Sequence, residues 1–171
     1  MKLEETDPSI YFWSALSLVL ALMLQILPLS VAMAHWRPQF VFLVAIYWLF
    51  RVPSFHGIAF AWMCGLMLDL VMGELIGRHA MSFALCAYLL RLLQQRFQYM
   101  TIFHQLFLVF PLVLLHQLLV HSTTLMLRPT WQGELVVAPA VSSLLIWPLL
   151  AWVLAKFGTS EAYEDEEISS S

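Results

Sequence analysis

Six apolar runs occupy most of this chain: Tyr11–Leu29, Trp36–Val52, Gly57–Met72, Met81–Leu93, Ile102–Leu127 and Leu135–Phe157. The stretches between them are roughly ten residues or fewer, in the usual range of short connections. A run of this length with few charges has lipid as its natural solvent. In hydrocarbon every backbone N–H and C=O must be satisfied internally, which leaves helices as the way to cross. The expected fold is all-α: a polytopic membrane helix bundle of about six transmembrane helices. The breaks carry the residues that interrupt such helices. Pro38 and Pro53 bracket the second run. Glu74, Gly77, Arg78 and His79 follow the third. Arg91 to Gln98 follow the fourth, and Arg128, Pro129 and Gly133 follow the fifth.

Composition excludes a soluble domain. Apolar residues make up 61% of the chain and charged residues 11%, against about 25% charged in ordinary soluble proteins. Mean hydropathy is +0.82. The net charge of -3 hides an uneven distribution. Glu4, Glu5 and Asp7 precede the first run, and Glu161, Glu164, Asp165, Glu166 and Glu167 follow the last. Between residues 8 and 160, three acidic residues face seven basic ones, a body of +4. Three regions are expected: an acidic N-terminus (1–10), a transmembrane helical domain (11–157) and an acidic, Ser-rich, disordered tail (158–171). With the N-terminus inside, Lys2, Arg51, Arg91, Arg96 and Lys156 fall on the cytoplasmic side and Arg37, Arg78 and Arg128 outside. Five against three favours cytoplasmic termini. No segment has room for a soluble catalytic or nucleotide-binding domain, no phosphate-binding loop occurs, and no nucleic-acid partner is expected.

The second and third runs are the weak point of this reading. The 17 residues of the second run would span about 25 Å as a helix, against a hydrocarbon core of about 30 Å. Either Arg37 and Arg51 snorkel outward, or the second and third runs form a re-entrant hairpin. Ala32-Met33-Ala34 resembles a signal-cleavage site. The acidic N-terminus and the length of the first run speak instead for a retained helix. Cys64 and Cys86 both fall in apolar runs and give neither a disulfide framework nor a metal pair.

Gly57, Ala61, Gly65, Asp69, Gly73 and Gly77 recur every four residues. That spacing marks one slowly drifting helix face, and small residues there let a second helix approach closely. Asp69 lies in this seam and needs a partner. Three fates are open to it: backbone N–H groups at the Gly73–Gly77 break, an arginine such as Arg78, or protonation linked to transport. His116, Gln117 and His121 point to interhelical hydrogen bonds; their spacing is not that of a zinc protease. His35, His56, His79 and His104 sit near run ends and need no special role. Ser82, Ser142 and Ser143 have no histidine or acid nearby in sequence. Gln25 is an interior polar group just ahead of Pro28. Trp13, Trp36, Trp48 and Trp131 lie near run ends, as an aromatic belt does. No metal or cofactor is expected.

Taken together, several stretches resemble the MreD family, the rod shape-determining membrane proteins of bacteria. They are Leu24-Gln25-Ile26-Leu27-Pro28, Trp36-Arg37-Pro38, Ile46-Tyr47-Trp48, the Gly65-x-x-x-Asp69-x-x-x-Gly73-x-x-x-Gly77 stretch, Ala87-Tyr88-Leu89 and Ile146-Trp147-Pro148. The resemblance covers roughly residues 12 to 157 and leaves out the acidic tail. It implies an inner-membrane protein of about six helices, similar in fold to the substrate-binding S components of vitamin transporters. It implies no enzymatic activity. It implies MreC as direct partner, with MreB, RodA and its class B penicillin-binding protein in the same assembly.

Three functions are therefore weighed. The first is a non-catalytic scaffold that binds MreC and helps position or activate the RodA–penicillin-binding protein peptidoglycan synthase. The second is an S-component-like subunit that transports a small molecule. The third is an intramembrane enzyme using His116, His121 or Asp69. The shortage of convergent polar groups inside the membrane argues against the second, and the absence of a nucleophile–base pair in sequence against the third.

Overall fold

The computed structural model describes residues 8–28, 36–52, 57–73, 75–94, 102–127 and 134–159. Six helices follow one another: α1 (Pro8–Ile26), α2 (Phe40–Arg51), α3 (Ile58–Met72), α4 (Arg78–Gln94), α5 (Ile102–Leu127) and α6 (Glu134–Thr159). No strand occurs among the described residues. The architecture is the expected all-α membrane helix bundle. The two terminal regions fall largely outside the described residues.

Helix length varies with position in the bundle. At 26 residues each, α5 and α6 run about 39 Å, and their stretches His104–Thr123 and Val137–Lys156 are long and apolar enough to cross a membrane. Helix α2 has only 12 residues, about 18 Å. It begins at Phe40, not Trp36, because residues 36–39 around Pro38 leave the helical path. Its surroundings make this length tolerable. Nine consecutive residues, Val41 to Leu49, are buried, and α2 packs against each of the other five helices. A helix apolar and buried all round is a core helix, and irregular backbone at membrane depth is tolerated where protein covers it. Helix α4 starts three residues before the expected Met81, at Arg78.

Polarity is distributed as a lipid solvent demands. Asp69, His116 and Ser143 are wholly buried, while Phe107, Met81, Leu145, Leu149 and Trp152 lie exposed on the outer surface. The strongest pairings are α3 with α4 and α5 with α6. Trp36 is exposed and Trp13 half-buried, but Trp48 does not join a belt: it is 2% exposed in the core, and its Nε1 donates to Ser17 Oγ on α1 at 2.9 Å. Trp131 lies outside the described residues. Cys64 and Cys86 are free buried thiols.

Candidate functional site

The seam between α3 and α4 is built on the face that carries Ala61, Gly65 and Asp69, all buried. A Cβ on Gly65 would stand 2.6 Å from Ala80 Cα and 2.7 Å from Ala80 N. The two helices thus touch backbone to backbone, which a side chain at 65 would forbid. The remaining glycines of the four-residue pattern do other things. Gly57 precedes α3 as its N-cap. Gly73 ends the helix in the left-handed conformation, φ 65°, and Gly77 closes the turn at φ 99°. No atom would crowd a Cβ at 73 or 77. Their need for glycine is conformational, and the helical face they were expected to continue stops at Met72.

Asp69 reaches across this turn to the start of α4. Its Oδ2 accepts the N–H of Gly77 at 2.9 Å and of Ala80 at 3.3 Å. Its Oδ1 accepts the N–H of His79 at 3.0 Å, and His79 Nδ1 donates to the same oxygen at 2.8 Å. The first turn of a helix leaves its N–H groups without intrahelical partners. Here a carboxylate from the preceding helix takes them up and offsets the positive end of the helix dipole. Of the three fates open to Asp69, the backbone of the glycine break is the one realised. Arg78 Nε donates to the Val120 carbonyl at 3.1 Å, tying α4 to α5.

His79 therefore has a role that its place at a run end did not suggest. It is buried, and its ring lies 5.6 Å from that of His116, centroid to centroid. His116 stacks on Phe42 of α2 at 4.6 Å and meets Phe83 of α4 edge-on at 5.1 Å. Its Nδ1 shares a 2.6 Å hydrogen bond with Ser82 Oγ. The expected interhelical bonding of His116 is thus present, with Ser82 as partner. Acid, histidine and serine do come close in space, but in the wrong order for nucleophilic catalysis. Asp69 orients His79, while Ser82 pairs with the other histidine. A triad needs one histidine between acid and hydroxyl. All four groups are also buried. The arrangement holds helices together.

A second polar knot joins α1, α2 and α6 on the same side of the bundle. The Arg37 guanidinium donates to the carbonyls of Gln25 and Leu27, at the end of α1. Gln25 Oε1 in turn accepts the N–H of Phe40, the first residue of α2, at 3.1 Å. Ser143 Oγ accepts the N–H of Gln39 at 3.1 Å. The C-terminal carbonyls of one helix and the N-terminal donors of the next are thus met by three side chains, Arg37, Gln25 and Ser143. Pro28 follows α1 on the surface, and Pro38 is buried at the bend before α2. Tyr47, Trp48 and Trp147 are buried in the core, Trp147 meeting Phe50 edge-on, while Tyr88 and Pro148 face outward.

On the outside, an apolar groove of about 240 Å³ runs between α1, α2 and α3, lined by Ala15, Leu22, Val41, Phe60, Met63 and Met67 among others. Among the described residues, no three His, Cys, Asp or Glu side chains converge as metal ligands.

Comparison with known proteins gives two matches. The family model "rod shape-determining protein MreD" matches residues 7–157. The rod shape-determining protein MreD of Haemophilus influenzae is 25% identical over 138 residues, covering 81% of this chain and 85% of the relative. No solved structure matches.

Proposed function

The chain belongs to the MreD family of rod shape-determining proteins, and we propose that within rod-shape maintenance it serves as a non-catalytic scaffold of the elongation machinery. In this reading it lies in the bacterial inner membrane as a multi-pass protein with both termini cytoplasmic. It binds MreC directly and helps position or activate RodA and its class B penicillin-binding protein, alongside MreB.

The observation that supports this reading most is where the bundle is closed and where it is open. Two surfaces of the bundle compare as docks for the MreC transmembrane helix: the small-residue seam and a groove outside it. The seam is filled from within, because Ala80 of α4 occupies the space over Gly65. The groove between α1, α2 and α3 is open and apolar, with Met63 and Met67 more than half exposed along its wall. Methionine is an adaptable contact for a partner helix. The Gly65–Ala80 and Asp69–His79 contacts hold α3 in place, and so fix one wall of that groove. The transport reading would need a chamber in the bundle, and the centre is filled by Phe42, Phe83, His116 and Trp147.

Cysteine cross-linking in membranes tests the assignment. Met63→Cys and Met67→Cys are expected to cross-link to single cysteines in the MreC transmembrane helix, and Leu145→Cys on the exposed face of α6 is not. Cross-linking from Leu145 alone would move the dock to α6. Depletion of the protein in its own host, followed by microscopy and labelling of new wall, tests the wider role: cells that stay rods reject it.

A further inference from the structure

At the end of the bundle opposite the Asp69 turn, the described charges are all of one sign. Arg51 closes α2, Arg91 lies in the last turn of α4 and Lys156 in that of α6. The acidic residues next to this end in the sequence, Glu4, Glu5 and Asp7 before α1 and Glu161, Glu164, Asp165, Glu166 and Glu167 after α6, lie outside the described residues. Between these helix ends lies a second groove, of about 430 Å³, where α2, α5 and α6 meet. Its lining has two chemistries. Arg51, Gln105 and Tyr47 supply a guanidinium, an amide and a phenol. Phe50, Pro148 and Trp152 supply apolar walls. Lys156 reaches over the Trp152 ring, its ammonium 5.8 Å from the ring centroid, which brings a second cation to the rim.

The apolar side of the groove does not stop at its edge. Trp152 is 64% exposed, and Leu149 and Leu145 continue from it along α6 at 62% and 71%. Residues three and four apart share a helix face, so these three form one outward stripe leading away from the cations. An occupant that matches both parts carries an anionic head beside an apolar chain. A guanidinium suits a phosphate oxygen pair better than a point cation does, and basic pockets between helices are known places for anionic lipid headgroups.

We propose that this groove is a binding site for the phosphodiester headgroup of an anionic phospholipid, with an acyl chain lying on the Leu145–Leu149–Trp152 stripe. Arg51 contacts the phosphate, Lys156 adds charge at the rim and Gln105 donates to the headgroup. Bound there, the lipid fills the gap between α2 and α6 and joins the shortest helix of the bundle to one of the longest.

The test uses the full-length protein, purified in a neutral detergent and exposed to equal amounts of dioleoyl phosphatidylglycerol and dioleoyl phosphatidylcholine. Native mass spectrometry counts retained lipid, and thermal unfolding reads its effect. Phosphatidylglycerol is expected to be retained in preference and to raise the unfolding temperature. Arg51→Gln and Lys156→Gln are each expected to lower that retention about fivefold, the usual worth of one basic residue at an anionic membrane surface. Lys156 is exposed at a helix end, so its variant is expected to fold whatever becomes of Arg51→Gln. Ser122→Ala, on an exposed stretch of α5 at the other end, is expected to leave retention unchanged. Equal retention of the two lipids overturns the proposal. So does a preference that survives both substitutions. Retention lost only when another membrane protein is added, and restored by its removal, gives the groove to a protein partner and equally overturns it.

Discussion

Gly65 and Ala80 bring two helices into backbone contact: a Cβ on the glycine would lie 2.6 Å from the Ala80 Cα. No rotamer change relieves that contact, since the obstructing atoms are main chain. Gly65→Ala is therefore expected to force α3 and α4 apart and to destabilise the fold by about 1–3 kcal/mol, the usual range for overpacking. Gly65→Leu is expected to abolish stable protein. The measurement is the amount of folded monomer after detergent extraction, together with its unfolding temperature. A stable Gly65→Leu variant that supports rod shape would remove the seam from the account.

Gly73 makes the opposite case on the same four-residue register. Nothing would touch a Cβ there, but φ is 65°. A left-handed residue with a Cβ costs about 1–2 kcal/mol, and asparagine tolerates the conformation better than other side chains. Gly73→Ala is expected to lower the unfolding temperature modestly and Gly73→Asn less. At Gly65, where the obstacle is steric, asparagine is expected to be worse than alanine, and the same order at both positions would mean that one cause acts at both.

These two glycines show what was legible in the sequence and what was not. The six helices were, because apolar runs of this length have only one way to satisfy their backbone in lipid. The backbone of the glycine break as a partner for Asp69 was also open to inference, because the break begins about one turn after it. The even spacing from Gly57 to Gly77 suggested one continuous face, yet spacing cannot tell a glycine that admits a neighbouring helix from one that ends its own. His79 looked idle at a run end. The available signal was an acid and a histidine ten residues apart with a glycine turn between them. Ser82–His116 and Gln25–Phe40 are contacts of tertiary packing, and no local pattern announces them.

The capping role of Asp69 predicts an ordered series. Asp69→Leu leaves the N–H groups of Gly77, His79 and Ala80 without the oxygens that now accept them. Buried orphans of this kind cost about 1–3 kcal/mol each, so the variant is expected to be lost from membranes. Asp69→Asn keeps one acceptor oxygen and is expected to retain part of the stable protein. His79→Ala removes one of four hydrogen bonds and is expected to be milder than Asp69→Leu. Quantitative immunoblotting of membranes checks the order. An Asp69→Leu protein present at normal level but unable to support rod shape would point to a chemical task for the carboxylate.

The knot at Gln25 and Arg37 serves helix ends in the same way, but through neutral acceptors. Arg37→Ala frees the carbonyls of Gln25 and Leu27, and Gln25→Ala leaves the N–H of Phe40 with only the Pro38 carbonyl, at 3.0 Å. Because the Arg37 side chain lies partly at the surface, water can replace some of what it supplies, whereas Gln25 is buried. Gln25→Ala is expected to be the more harmful of the two by unfolding temperature. Equal or reversed losses would show that Arg37 contributes by more than its hydrogen bonds.

Ser82 and His116 permit a test that separates a structural hydrogen bond from a chemical one. Ser82→Ala leaves His116 Nδ1 buried without its partner, and interhelical hydrogen bonds in membranes are worth about 0.5–2 kcal/mol. His116→Leu alone leaves a serine hydroxyl, which can turn back to the carbonyl one helical turn earlier, but it also removes the ring stacked on Phe42. If the pair only joins α4 to α5, the double variant is expected to be less damaging than the sum of the two. Removing both partners leaves no orphan, and apolar replacement of a buried pair is often nearly neutral. Stability and rod shape should then recover together in the double variant. A double variant that folds as well as the parent chain but leaves cells round would show that the hydrogen-bonded pair does something that packing cannot replace.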